Sequence, residues 1–432
     1  MNNKNKKISL VSLGCAKNLV DSEVLVGGLK YENFEIVDKS TKADIIIINT
    51  CGFLESAREE SIDVILEAGE LRKINKIEKL IVMGCFSGRY GQELMKELPE
   101  VDAFFGTDDH AKIISYLLGK PFLKQDPDYY RSILTPSHYA YLKIAEGCDN
   151  GCAFCSIPLF RGTQKSQPVE WNVQETTRLV NAGVKEIMVI AQDTTSYGWD
   201  LDDKASLHQL IKEIDQINNL EWLRLHYAHP AHLHREMIKL YSYSEKLLPY
   251  IDMPVQHASD KILKKMRRGL NSDGIRSRID NLRDANPNIV IRSTMIVGFP
   301  DETEDDFQKL YDFVDEVQFD RLGLFTYSEE PGTYGGENYK DNIPLEVKTE
   351  RMDAIMMLQQ EINMQKNKKL IGSTQKVLID KYFEEGWTLG RTYRDSPEVD
   401  NYVRINEKLN IGEFYNIEIK DATAYELIGK KI

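Results

Sequence analysis

The first 125 residues alternate between two patterns of hydrophobic and polar positions. Runs of strand length that are rich in Ile, Val and Leu are each followed by a stretch with helical spacing. This order is typical of buried parallel strands joined by helices, because strands covered on both faces are apolar throughout. The predicted strands cover residues 8–13, 44–49 and 80–83, and the predicted helices cover 20–29, with Asp21 and Ser22 as capping residues, and 54–72, with Ser56 and Glu59 at capping-box spacing.

The same alternation resumes after turn signals at 106–107 and 120–121 and polar residues at 125–130, and it continues at greater length from residue 141. Six strand–helix units exceed a mononucleotide-binding half and fall short of a closed eight-stranded barrel. The sequence therefore predicts a partial (β/α)6 barrel with its chemistry at the C-terminal ends of the strands. The predicted strands are 141–145, 186–191, 222–226, 250–253, 289–296 and 321–326, and the predicted helices are 172–181, 207–217, 235–240, 274–285 and 304–317.

A third pattern begins beyond a long predicted helix at residues 345–367. Five short alternating runs, separated by Gly and Asp-Asn turns, predict a small antiparallel β-barrel of the oligonucleotide-binding type. These runs are residues 376–379, 388–393, 402–405, 415–419 and 424–428. The chain is therefore expected to be an α/β protein of three domains, at residues 1–125, 134–365 and 366–432.

The charge balance bears on the kind of partner. The chain has 55 Lys and Arg against 68 Asp and Glu, which gives a formal net charge of −13. Because basic surface drives nucleic-acid binding through counterion release, this balance counts mildly against RNA as the main partner and suits a basic protein better. The alternative is that the negative charge serves only solubility. No apolar run approaches the ~18 residues that cross a bilayer, and no secretory signal opens the chain, so a cytoplasmic protein without membrane contact is expected.

Six cysteines carry the candidate chemistry, and a disulfide framework is not expected in a long chain with a low cysteine fraction. Cys148, Cys152 and Cys155 form a Cys-x3-Cys-x2-Cys run. Three thiolates this close can hold three irons of a four-iron cluster and leave the fourth iron an open position. A zinc site would want a fourth Cys or His nearby, and none follows within the next fifty residues. The missing fourth ligand favours the cluster, and the alternatives are a zinc site or plain thiols.

Cys15, Cys51 and Cys85 are far apart in sequence but share one local context, since each follows a predicted strand of the first domain. The C-terminal ends of parallel strands share one edge of a sheet. The topology therefore predicts that these three thiols meet in space. The alternative is three unrelated core thiols beside tight Gly turns.

Further polar residues lie at predicted strand ends of the partial barrel, where barrel active sites form. Each of them can instead be a packed or turn-forming side chain. These candidates are Gln192, Asp193, Gln256, His257, Gly298 and Tyr327. Four histidines have spacings that fit neither one helix face nor a ligand pattern, and we expect surface or loop positions for His226, His229, His232 and His234.

The two cysteine sets and the tail, in this order, resemble the radical S-adenosylmethionine methylthiotransferases across essentially the whole chain. Several segments look like the branch of that family that modifies an aspartate of a ribosomal protein, the RimO type. The tRNA-modifying branch would show Cys-Gln-Met-Asn near the first cysteine and Asn in place of Asp193. The segments that carry this resemblance are residues 12–23 (SLGCAKNLVDSE), 49–54 (NTCGFL), 192–198 (QDTTSYG), 254–259 (PVQHAS) and 395–400 (DSPEVD).

The resemblance implies a C-terminal TRAM barrel, two [4Fe–4S] clusters and S-adenosylmethionine. The auxiliary cluster would bind Cys15, Cys51 and Cys85, and the radical cluster would bind Cys148, Cys152 and Cys155. S-adenosylmethionine would lie near Gln256, Ile296 and Gly298. The resemblance does not specify catalytic residues, so Gln192, Asp193, His257 and Tyr327 remain the cavity candidates.

The implied reaction inserts a methylthio group at the β-carbon of an aspartate of ribosomal protein S12, either free or in the small subunit. It would require an electron donor such as flavodoxin or ferredoxin and a sulfur donor, with nucleic-acid contact at most secondary. The nearest alternative is a methylthiotransferase that acts on a tRNA adenosine. An iron–sulfur electron carrier and a plain RNA-binding module are alternatives from other classes.

Overall fold

The computed structural model describes residues 6–53, 55–122 and 131–432. It divides into two compact units. The first unit contains Met1–Thr135 together with Glu146–Asp149 and Ser156–Gln164, and the second contains Pro136–Ala145, Asn150–Cys155 and Lys165–Ile432. In these described ranges, no helix is both long enough and apolar enough to cross a membrane.

The first unit is built on a parallel sheet of five strands in the order β2-β1-β3-β4-β5. Alternate residues of its central strand enter two separate apolar clusters, Ile46 and Ile48 on one face and Ile45 and Ile47 on the other, because successive side chains point to opposite faces. The predicted strands are confirmed to within one residue at each end. The elements are β1 (Lys7–Ser12), α1 (Ala16–Tyr31), β2 (Glu35–Ile36), β3 (Ile45–Thr50), α2 (Glu55–Lys73), β4 (Lys79–Gly84), α3 (Cys85–Glu97), β5 (Ala103–Phe104), α4 (His110–Leu118) and, from the later segment, α5 (Ile157–Arg161).

The predicted helix caps of this unit are wrong. Helix α1 begins at Ala16 with Cys15 as its N-cap, so Asp21 and Ser22 are buried residues inside the helix. Ser56 likewise lies inside α2, where its hydroxyl cannot cap the first turn. The predicted start of α2 at residue 54 and the predicted polar boundary at 125–130 fall outside the described residues.

The second unit contains an open parallel sheet of six strands in the order β13-β12-β11-β10-β9-β6. Strands that follow one another in sequence are neighbours in the sheet, which is the order of an incomplete (β/α) barrel and confirms the predicted fold class. Two short helices, α9 and α12, were not predicted. The elements are β6 (Tyr139–Lys143), β7 (Ala145–Glu146), β8 (Lys165–Ser166), α6 (Val169–Asn181), β9 (Glu186–Ile190), α7 (Leu207–Asp215), β10 (Trp222–Leu225), α8 (Arg235–Leu240), β11 (Leu247–Asp252), α9 (Asp260–Lys265), α10 (Ser272–Ala285), β12 (Val290–Val297), α11 (Glu304–Val317), β13 (Arg321–Thr326), α12 (Tyr334–Asn338) and α13 (Leu345–Lys368).

The tail forms a closed barrel of five strands in the order β14-β15-β16-β18-β17 around an apolar core. Four of its strand pairs are antiparallel as predicted, but β16 and β18 are parallel. A ring with an odd number of strands cannot alternate direction at every pair, so closure requires one parallel pair. The strands are β14 (Thr374–Phe383), β15 (Trp387–Arg391), β16 (Tyr402–Ile405), β17 (Phe414–Ala422) and β18 (Glu426–Lys431).

A polar joint connects this small barrel to the six-stranded sheet. Asp395, in the loop between β15 and β16, accepts hydrogen bonds from Arg321 of β13 and is almost fully buried. Asp400 of the same loop accepts a hydrogen bond from the Tyr250 hydroxyl (2.7 Å) and pairs with Arg292 (3.3 Å). The segment 395–400, which contributed to the family resemblance, thus holds the tail against strands β11, β12 and β13.

Candidate active site

The turns that carry Cys15, Cys51 and Cys85 lie together in the first unit. Strands β1, β3 and β4 are adjacent and parallel, and the three cysteines follow their C-terminal ends. A Cβ atom at Gly14 would lie 2.7 Å from the Cβ of Cys51, and one at Gly52 would lie 3.0 Å from the carbonyl carbon of Cys85. The absence of side chains at these glycines lets the turns touch, and the structure brings the three thiols together as the sheet topology predicts.

Asn18, in the first turn of α1, connects the three turns through its side chain. Its Nδ2 donates to the carbonyl oxygens of Leu13 and Thr50, both at 3.0 Å. The Sγ of Cys85 donates to its Oδ1 at 3.4 Å. Asn18 itself is buried, and Asn49 at the end of β3 donates to its backbone carbonyl (2.8 Å). Asn18 was not predicted from the sequence, because a polar residue in a helix carries no signal of such contacts.

A buried guanidinium, that of Arg161 on α5, lies beside the same thiols. Arg161 donates to Asn18 Oδ1 (2.5 Å), to Glu146 Oε1 (2.7 Å) and to Asp21 Oδ2 (3.2 Å). Its side chain is only 3% exposed. A buried guanidinium remains charged, so it requires anionic partners in its surroundings. Arg161 is a second residue that the sequence analysis missed.

The three thiols influence one another's ionisation. Burial raises the pKa of Cys51 and raises that of Cys85 to about 12, and the charge of Cys15 raises both further. Desolvation by the surrounding protein also opposes ionisation of Cys15, although this residue is exposed, but Lys17 and Arg161 outweigh it and leave its pKa below the usual range. Three mutually repelling thiolates suit a cationic iron core, which would neutralise them.

Within the residues that the structure describes, no three His, Cys, Asp or Glu side chains converge on the position of a single metal ion. In an iron–sulfur cluster each cysteine binds a separate iron, so its sulfurs need not share one ion. The donor set of three free thiols therefore fits a cluster better than it fits zinc.

The second cysteine set lies in the loop between β7 and α5. In the second unit, Ala153 of this loop donates to the Met266 carbonyl (3.0 Å) and accepts a hydrogen bond from Gly335 N–H (2.6 Å). Arg268 places Nη1 3.2 Å from Cys152 Sγ, donates from Nη2 to Pro254 O (2.7 Å), and is buried. This contact fixes the position of the Cys152 sulfur relative to the second unit. Arg268 was not predicted from the sequence.

Gly298 lies in a tight loop after β12 that a buried carboxylate holds in place. The Oε2 atom of Glu302 accepts hydrogen bonds from the N–H groups of Gly298 (2.8 Å) and Phe299 (3.2 Å). Its Oε1 accepts one from Arg351 of α13 (2.9 Å). Gly298 has φ +70, and a Cβ there would lie 2.2 Å from Lys348 Cγ. Glu302 was not predicted from the sequence. The available signal was its position four residues after Gly298, from which a carboxylate can accept hydrogen bonds from the N–H groups of the loop.

Gln256 and Tyr327 present buried polar atoms at this end of the sheet. Gln256 adopts a left-handed backbone (φ 72), and it bridges to Met295 beside the half-buried Ile296. Neither Gln256 Oε1 nor Tyr327 Oη has a hydrogen-bond partner among the described residues. Buried polar atoms without partners are costly, so both atoms are suited to a bound ligand. Burial raises the pKa of Tyr327 to about 12, which keeps it a hydroxyl donor.

His257 lies behind the Gly298 loop with no exposed surface. Its Nδ1 accepts a hydrogen bond from Ser259 N–H (2.9 Å), and its Nε2 lies 3.4 Å from Glu302 Oε2. These contacts support a packing role for His257 beside Glu302.

Asp193 fixes two loops of the second unit. Its carboxylate accepts hydrogen bonds from Asn150 Nδ2 (2.8 Å) in the cysteine loop, from Thr195, and from His232 Nδ1 (2.8 Å). Burial would raise the pKa of Asp193, but hydrogen bonds from His232 and Thr195 and the charge of His229 hold it far below its usual range. A carboxylate with such a low pKa is a weak base, so Asp193 positions its neighbours; Gln192 beside it is half-buried.

The four histidines follow β10 and lie outside helices and strands, as predicted. A surface position is wrong for His226 and His229, which are 5% and 8% exposed. His226 contacts Ser396 Oγ of the small barrel's loop (3.0 Å), and His229 stacks on His232 with ring centroids 4.5 Å apart. Burial in contacts that only the fold creates explains the difference.

Three family profiles match the chain in succession. They are the uncharacterized protein family UPF0004 at residues 7–106, the radical SAM superfamily at residues 142–314 and the TRAM domain at residues 371–432. Among solved structures, the radical S-adenosylmethionine methyltransferase TsrM from Kitasatospora setae aligns with a TM-score of 0.57 at 13% identity and covers 77% of each chain. The cobalamin-dependent radical enzyme OxsB aligns with a TM-score of 0.54 at 13% identity over 82% of this chain and 57% of its own. At such low identity these likenesses show the fold alone.

Curated relatives match at higher identity and along nearly the whole chain. The ribosomal protein uS12 methylthiotransferase RimO of Clostridioides difficile (strain 630) is 43% identical over 98% of both chains. The protein of the same name from Sulfurihydrogenibium sp. (strain YO3AOP1) is 45% identical over 99% of both chains. The one from Aquifex aeolicus (strain VF5) is 45% identical over 98% of this chain and 97% of its own. The chain therefore belongs to the family of ribosomal protein uS12 methylthiotransferases named RimO.

Proposed function

We propose that this enzyme transfers a methylthio group to the β-carbon of an aspartate of ribosomal protein uS12. The observation that carries the proposal is the packing of three cysteine turns at one sheet edge, in a chain whose relatives share this name over their full length. An unactivated C–H bond has no acidic proton, so side-chain acids and bases cannot open it and a cofactor must supply a radical. The net charge of −13 suits a basic ribosomal protein.

The family implies S-adenosylmethionine and a [4Fe–4S] cluster, and we propose two such clusters. Cys148, Cys152 and Cys155 would hold the radical cluster, and Cys15, Cys51 and Cys85 would hold the auxiliary one. When bound, the radical cluster supplies the electron that cleaves S-adenosylmethionine.

The protein's own contribution is to bind and orient these groups. Arg268 donates a hydrogen bond to the Cys152 sulfur, and Asp193 anchors the cysteine loop through Asn150. Gly298, Ile296, Gln256 and Tyr327 would contact S-adenosylmethionine, with Gln256 Oε1 as acceptor and Tyr327 Oη as donor. Asp193 and His257 then act by positioning, since hydrogen bonds and packing already occupy their side chains.

Co-expression with uS12 in a host that lacks its own methylthiotransferase tests the substrate. Peptide mass spectrometry should show one added methylthio group on a single aspartate of uS12, and the modified nucleosides of the host tRNA should not change. An unmodified uS12 peptide would refute the proposal, and a newly methylthiolated tRNA adenosine would favour the tRNA branch, which the relatives do not favour.

Two cysteine variants test the division of the clusters. Cys51→Ala and Cys152→Ala should each retain one of the two clusters when iron and sulfide are counted after anaerobic reconstitution. Cys51→Ala should still cleave S-adenosylmethionine to 5′-deoxyadenosine without modifying uS12, whereas Cys152→Ala should do neither. Loss of both clusters in either variant would contradict two independent sites.

The reaction also requires a low-potential electron donor, such as flavodoxin or ferredoxin, and a sulfur donor. We place it in the cytoplasm because its proposed substrate, a ribosomal protein, is made and assembled there. Whether the enzyme accepts free uS12 or the assembled small subunit can be measured by offering both substrates to the reconstituted enzyme.

A further inference from the structure

We propose that Arg161 is a positioning residue of the auxiliary site. It supplies the buried positive charge that the three thiolates require, and it holds their turns through Asn18. The inference rests on the proposed function, because it assumes that Cys15, Cys51 and Cys85 hold the auxiliary cluster.

Arg161 acts on the three thiols through its charge. The guanidinium of Arg161 is buried and pairs with Asp21 and Glu146, and the buried Lys17 lies near the same thiols. Arg161 and Lys17 offset Asp21 and Glu146, and Glu60 adds a further negative charge that acts on Cys51. Loss of the Arg161 charge would leave these carboxylates facing an anionic cluster with one cation fewer. Because Arg161, Asp21 and Cys85 are buried, solvent screens this imbalance only weakly.

Arg161 also orients the side chain of Asn18. Arg161 Nη2 donates to Asn18 Oδ1 at 2.5 Å, and this contact fixes which end of the amide is the acceptor. Asn18 Nδ2 then points at the carbonyls of Leu13 and Thr50, which precede the first two cysteine turns. The third thiol, that of Cys85, contacts the same Oδ1 atom. One hydrogen-bond network thus reaches all three turns, and Arg161 sets its orientation.

Arg161 lies close in sequence to the second cysteine set. Arg161 follows Cys155 by six residues, and its helix α5 belongs to the first unit with residues 156–164. The auxiliary site is therefore completed by a residue encoded directly beside the second cysteine set. Residues 7–106, which the first family profile covers, contain the three ligands but not this cation.

The test uses the full-length chain with Cys148, Cys152 and Cys155 replaced by alanine, so that only the auxiliary site can hold a cluster. We expect R161Q to lose its reconstituted cluster to an iron chelator about ten-fold faster than the parent, because a charge-assisted network is broken. Its midpoint potential, from a redox titration followed by electron paramagnetic resonance, should be more negative, because the reduced cluster has one more negative charge to stabilise. R161K should recover part of both losses.

Arg131 provides the matched control. It belongs to the same unit, its side chain is only 8% exposed, and it pairs with Glu23 (2.8 Å). R131Q should leave cluster retention and potential at the parent values. Equal behaviour of R161Q and R131Q, whether both unchanged or both impaired, would overturn the inference. A parent chain that binds no cluster at all would instead refute the assignment of the auxiliary ligands, and the role of Arg161 would fall with it.

Discussion

Glu302 offers a sharp test of how the Gly298 loop is held. The substitution Glu302→Gln keeps the shape of the side chain and removes its charge. One oxygen that accepts hydrogen bonds becomes an amino group, while Gly298, Phe299 and Arg351 all require an acceptor. Because Glu302 is 2% exposed and Arg351 is 7% exposed, solvent cannot replace the lost partner.

The magnitude follows from the burial of the pair. Breaking a buried ion pair on one side costs about 3–5 kcal/mol. Arg351 keeps a contact with the exposed Glu304 at 3.2 Å, which places the expected loss near the lower end. At ~2 °C per kcal/mol for a unit of this size, the thermal midpoint should fall by about 6 °C.

Tryptophan fluorescence reports this unfolding selectively, because all four tryptophans of the chain lie in the second unit. The unfolding is measured on the cluster-free, reduced chain. Equilibrium dialysis below the unfolding transition measures S-adenosylmethionine binding, and the affinity should weaken at least about ten-fold if the loop binds this ligand. Glu304→Gln is the control, since Glu304 contacts the same arginine but is 79% exposed, and its midpoint should stay within about 2 °C of the parent. A Glu302→Gln midpoint equally close to the parent would refute the reasoning.

Three further predictions concern the second unit. Asp395→Asn leaves the buried Arg321 without its anion and should lower the same fluorescence midpoint by about 6–10 °C, whereas the exposed Glu398→Gln should not change it. Burial lowers the pKa of His226. Below about pH 6.5 a histidine of the unfolded chain takes up a proton, whereas His226 in the folded chain stays neutral. The folded state therefore loses stability relative to the unfolded state as the pH falls. His226→Gln should therefore reduce the loss of thermal stability between about pH 7.5 and about pH 5, and an unchanged loss would contradict a neutral buried ring. The substitution Arg268→Met is tested in a chain whose first three cysteines are replaced by alanine. The variant should retain less iron after chelator treatment than the same chain with Arg268 intact, and equal retention would exclude a role for the contact of Arg268 with Cys152.

Local patterns were enough to predict the elements and their order. The apolar runs of β1, β3 and β4 predict buried strands from a few neighbouring residues, and parallel topology then places the following cysteines at one edge. The six strands of the partial barrel were found for the same reason. The caps of α1 and α2 were misplaced, because Ser, Asp and Glu also occur inside helices and a capping motif alone does not locate the end.

Tertiary structure decided which residues support the two cysteine sets. Arg161 and Asn18 are 143 positions apart and make their contact only after the segment 156–164 packs into the first unit. Arg268 and Cys152 are separated by 116 positions, and Arg351 and Glu302 by 49. No local periodicity records such pairs, because a buried ion or hydrogen bond depends on which distant side chain fills the same pocket. The sequence alone thus determined the ligand-bearing turns and the order of the domains, whereas folding determined the charges and hydrogen bonds that surround them.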